Sequence, residues 1–103
     1  MKHTEKEILD IAKDVLRKLE FPYDKSVELK AIAVDKKDNR FSKPTWVVAY
    51  QIAIQFTPRR LAFLYIDDET GAPLLIFHSH ANVYLTLNED GTIEKTVKRY
   101  GED

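Results

Sequence analysis

The chain has 103 residues, with sixteen Lys and Arg against seventeen Asp and Glu, and no cysteine. That length suits one domain that buries a core without crosslinks, so a single domain over residues 1–103 is expected. The net charge of -1, with both signs interspersed, offers no basic face for phosphates, and the missing cysteine excludes disulfides, thiolate metal sites and a cysteine nucleophile.

The N-terminal MKHTEKE carries no apolar signal core, and no apolar run approaches the roughly 20 residues that span a bilayer. A cytoplasmic protein that binds neither nucleic acid nor membrane is the expectation. Thr4 and Glu7 then form a capping box, which starts a helix. Ile8, Ala12, Val15, Leu16 and Leu19 recur at helical spacing with charged residues opposite, and Phe21-Pro22 ends the pattern. This is an amphipathic helix suited to lie on a sheet.

Residues 27–34 alternate at first and then turn apolar on both sides. A strand is predicted there, although the composition also tolerates a helix. TWVVAYQIAIQF, residues 45–56, alternates over more than ten positions, with Trp46, Val48, Tyr50 and Ile52 assigned to the helix side. Thr57-Pro58-Arg59-Arg60 breaks it, and LAFLYI, the polar DDETGAP and LLIF follow as two further strands. VYLTLN and TIEKTVKR, joined at Asp90-Gly91, complete the pattern. The expected fold class is α+β, an N-terminal helix on an antiparallel meander of five to six strands.

Few features suggest chemistry. His78 and His80 stand two apart on one face of a strand, as in some metal sites, but no third ligand lies near them in sequence and no metal is assigned. Asp67, Asp68 and Glu69 fit a hairpin turn better than a calcium loop, since the ligand spacing of such a loop is absent. Aromatic residues from Tyr23 to Tyr100 suit core filling or the lining of a cavity between helix and sheet. The chain has no GxSxG, HExxH, Walker loop or dinucleotide fingerprint, and Ser26, Ser42 and Ser79 have no local base. No catalytic residue or cofactor is assigned, and the expectation is a protein that is not an enzyme.

The residues Trp46, Val48, Tyr50, Ile66, Asp67, Thr70, Gly71 and Leu74 resemble the pattern of PepSY-like and other cystatin-like domains. There a tryptophan-bearing strand precedes a hydrophobic-Asp-x-x-Thr-Gly turn. The arrangement is also similar to small bacterial immunity proteins of toxin systems, including those with a nuclear-transport-factor-two-like fold. The likeness covers the middle third of the chain and implies a non-enzymatic protein-binding module, such as an inhibitor of a bacterial toxin. A small-molecule binder using a helix–sheet cavity is the alternative.

A regular hairpin closed at residues 57–60 sets Ile54 opposite Phe63 and Ile52 opposite Tyr65, and places these four under the helix. The other face then holds Ala53, Ala62, Leu64 and Ile66, too apolar to be left to water when one helix covers one face. The sequence therefore predicts either that these four, with Arg59 and Arg60 at the hairpin tip, contact a partner, a toxin or a second copy of the chain, or that sheet curvature folds the last two strands or a terminus over that face.

Overall fold

Thr4 caps the helix as its sequence requires: its side chain accepts from the Glu7 N–H at 3.2 Å while the Glu7 carboxylate accepts from the Thr4 N–H at 2.9 Å. The computed structural model describes residues 2–21, 23–25, 27–38, 41–52, 61–77 and 81–99. Within them lie α1 (Glu5–Lys18), β1 (Lys30–Val34), β2 (Thr45–Gln51), β3 (Leu61–Asp67), β4 (Pro73–Phe77), β5 (Ala81–Leu87) and β6 (Ile93–Arg99). The strands form one antiparallel sheet in the order β1-β2-β3-β4-β5-β6. The fold is α+β, a helix on a six-stranded meander. Among the described residues no helix is long and apolar enough to cross a membrane.

The helix stops before the Phe21-Pro22 pair expected to end it. Glu20 adopts a positive φ of 57°, its N–H donates to the Arg17 carbonyl at 3.1 Å, and the Phe21 N–H donates to the Leu16 carbonyl at 3.0 Å. These two bonds make a Schellman cap with glutamate where glycine is usual. Phe21 then folds back on the core, with the Lys95 ammonium 4.9 Å from its ring centre.

β1 is a strand, beginning at Lys30 rather than at residue 27. β2 ends at Gln51, with Ile52 in a single bridge to Tyr23. Ile54 and Phe56, expected on its continuation, lie outside the described residues. One bulge interrupts the ladder where Tyr65 pairs with Leu75 but Ile66 with Pro73. The extra residue, Leu74, admits Pro73, which has no N–H for a regular ladder.

Register decides which face is buried, and it corrects the expected hairpin. Tyr65 lies opposite Val47 and Phe63 opposite Ala49, so Tyr65 is displaced by five positions from Ile52. An odd displacement exchanges the faces of a strand. Trp46, Val48 and Tyr50 do face the helix, as predicted, but Ala62, Leu64 and Ile66 sit beside them at 0% exposure, beneath Ile8, Ala12, Val15 and Leu16. The three residues expected to meet a partner are thus core. The expected register rested on a four-residue tip at residues 57–60, whereas Gln51 pairs with Leu61, and that odd shift turns the other side of β3 inward.

Candidate functional site

Exchanging the faces leaves an apolar surface on the side of the sheet away from α1. Alternation places Val47 and Ala49 of β2, Phe63 and Tyr65 of β3, and Leu75 and Phe77 of β4 on that side. Ile32 of β1 and Tyr84 of β5 extend the row to either flank. Leu75 is at 0% exposure, whereas Ile32 is 63%, Leu61 52% and Phe77 40% exposed. Among the described residues no α-helix or second sheet covers this face. Phe41, from the β1–β2 connection, sets its ring edge-on to Tyr65 with centroids 5.6 Å apart, and the Lys98 ammonium stands 5.5 Å from the Tyr84 ring centre. Such contacts let aromatic rings remain half-exposed without leaving their polar surroundings.

The acidic turn after β3 does structural work, and its carboxylates diverge. Asp67 accepts from the Glu69 N–H at 2.9 Å and pairs with Lys43 at 3.1 Å. Burial raises its pKa, but these donors outweigh burial and leave it below the ordinary carboxylate value. Asp68 turns inward. Its carboxylate accepts from the Lys2 N–H at 2.6 Å, the His3 N–H at 3.0 Å and the Trp46 indole N–H at 2.8 Å, while the His3 ring nitrogen Nδ1 stands 2.5 Å from the Asp68 carbonyl oxygen. Here too burial pushes the pKa up and the three donors more than reverse it. Gly71, at φ 73°, closes the turn where a Cβ would meet both the His3 ring and Ile11 Cδ1 at 3.2 Å. Glycine is required twice there, for conformation and for space.

Of the residues singled out in the sequence, Ala53, Arg59, Arg60, His78 and His80 lie outside the described ones. Among the described residues no group of three His, Asp or Glu side chains is placed to hold a metal. Around the helix, an open groove of about 600 Å³ is lined by Leu16, Phe21 and Tyr23 with Lys13, Arg17 and Lys25. The interface between α1 and the sheet is filled by side chains: Ile8, Leu16, Val48, Leu64, Ile66 and Ile76 are all at 0% exposure. Tyr50 is among the residues that close it, and burial pushes the pKa of its phenol up.

Sequence reasoning found the existence of a second apolar face but assigned it the wrong residues. Gln51 is buried on the helix-free side, and its Nε2 has no partner among the described residues. No family model, curated protein or solved structure matches the chain.

Proposed function

We propose that the chain is a non-enzymatic protein-binding module whose helix-free sheet face is the contact surface, in the manner of an immunity-type inhibitor that covers a toxin. The observation that supports this reading is the row Ile32, Val47, Tyr65, Leu75 and Tyr84, apolar or aromatic across five strands and facing away from α1. Ile32 is exposed and Val47, Tyr65 and Tyr84 half-buried around the buried Leu75, and contiguous apolar side chains of this kind are what a protein partner removes from water. Ala62, Leu64 and Ile66, first assigned to the partner, have no part in it, because they are core. A small molecule between helix and sheet has less support, since side chains fill that interface.

Ala49 tests the surface. It is half-buried at the centre of the face, with Lys30 on one side and Phe63 on the other. Ala49→Glu adds bulk and charge beside Lys30, which accommodates the carboxylate. The test measures binding to the product of the neighbouring reading frame by calorimetry, with wild type and variant at matched thermal stability. Binding by the wild type and a loss of at least about tenfold in the variant is expected. Equal affinities would remove this face from the function.

A further inference from the structure

We infer that the outer edge of β1 pairs with β1 of a second copy, antiparallel about Ile32, to join two sheets into one. The pairing rests on the β1 edge and does not require the partner proposed for the sheet face, although Ile32 also flanks that face. The two edges of the sheet differ in how they are protected. β6 carries Glu94, Lys95 and Lys98 along its length, the charges that keep an edge strand from pairing. β1 reads KAIAV, has no charge after Lys30, and pairs with β2 on one side alone. Among the described residues no segment pairs with its other side. Ile32, at its midpoint, is the most exposed large hydrophobic residue of those described, at 63%.

The occupant is a second copy because the segment is complementary to itself. An antiparallel pairing centred on Ile32 sets Ile32 against its own counterpart and Ala31 against Ala33, small residues that let the backbones approach. The same two-fold brings the Glu28 end of one copy to the Lys36 end of the other, twice. Glu28 and Lys36 are both exposed. Because the axis is perpendicular to the sheet, the two α1 helices run past each other antiparallel on one face. The helix side nearest β1, which borders the groove with Val27, Glu28 and Leu29, presents Glu5, Leu9 and Lys13. That stripe has the same symmetry, acid, apolar, base, about Leu9. Two segments with the same charge order, on the two layers nearest one edge, fit one two-fold axis.

A short edge pairing belongs with small, weak interfaces, so association is to be measured up to about 300 µM by sedimentation equilibrium. The wild type is expected to dimerise reversibly, and Ile32→Lys to weaken the dimer at least about tenfold with an unchanged melting temperature. Glu28→Lys and Lys36→Glu each weaken it, and together they restore it. Ile32→Cys, the sole cysteine in its variant, should be joined to its counterpart by a short bismaleimide, while Thr96→Cys on the exposed β6 edge should not. A wild type that stays monomeric at the highest concentration overturns the inference. So does a double charge reversal that fails to restore association, or equal crosslinking of the two cysteine variants.

Discussion

The indole N–H of Trp46 donates to Asp68 Oδ1 at 2.8 Å, and the same carboxylate holds the backbone N–H groups of Lys2 and His3. One side chain therefore fastens the start of β2, the turn after β3 and the segment that leads into α1. Hydrogen bonds to a buried charged group contribute more than neutral ones. Asp68→Ala is expected to lower stability by about 2–4 kcal/mol, and Trp46→Phe, which keeps most of the ring packing, by about 1–2 kcal/mol. Urea denaturation checks both, and equal stability of Asp68→Ala and wild type would refute the anchoring role.

Acid should expose the same anchor. The folded-state pKa of Asp68 lies below the ordinary value, so its contribution is fully present above an unfolded pKa of about 3.9 and is lost as pH falls through the folded value. Asp67, also lowered, acts in the same direction. Unfolding free energy is expected to decline below about pH 4 in the wild type and to decline less steeply in Asp68→Asn. Parallel pH profiles would show that other groups control the acid limb.

The corrected register gives a paired test within β3. Leu64 is at 0% exposure under α1 and Leu61 is 52% exposed. Leu64→Ala is expected to cost about 2–5 kcal/mol through lost contacts and a cavity, and Leu61→Ala less than about 0.5 kcal/mol. Thermal melts of the two variants decide it, since similar losses would return Leu64 to a solvent face.

Glu20 offers a gain in stability. It holds a positive φ at the end of α1, where its negative charge also faces the negative end of the helix dipole. Glu20→Gly is expected to stabilise by about 0.5–1 kcal/mol, a rise in melting temperature of roughly 2–8 °C for a domain of this size. A lower melting temperature would show that the loss of chain stiffness in the unfolded state dominates.

The parts legible in the sequence are those coded by neighbouring residues. The Thr4–Glu7 capping box, the turns at Gly71 and Gly91, and the alternation of β2 and β5 each signal locally, and each is present. LAFLYI lacks such a mark, because it is apolar on both sides until Asp67 and either face could be turned inward. Its facing depends on where a connection of uncertain length ends, which no residue of the strand records. The Asp68 anchor was hidden for a related reason: its backbone donors lie 65 and 66 positions away. One clue was available, since a buried tryptophan needs an acceptor for its N–H, and the carboxylates after β3 supply the nearest ones.

Each strand of this sheet pairs with its neighbour in sequence, and the contacts between residues furthest apart in the chain run through the helix and the segment before it. During synthesis α1 is made before the sheet, and the sheet residues of its core cluster, from Trp46 to Leu85, follow by tens of residues. At about 5–20 residues per second, the helix spends seconds without its sheet. A helix of 14 residues is marginal in water, so over that interval it depends on its cap and on the Asp14 pairs with Arg17 and Lys18. Until Asp68 is made, the segment that leads into α1 lacks the carboxylate that fastens its backbone N–H groups.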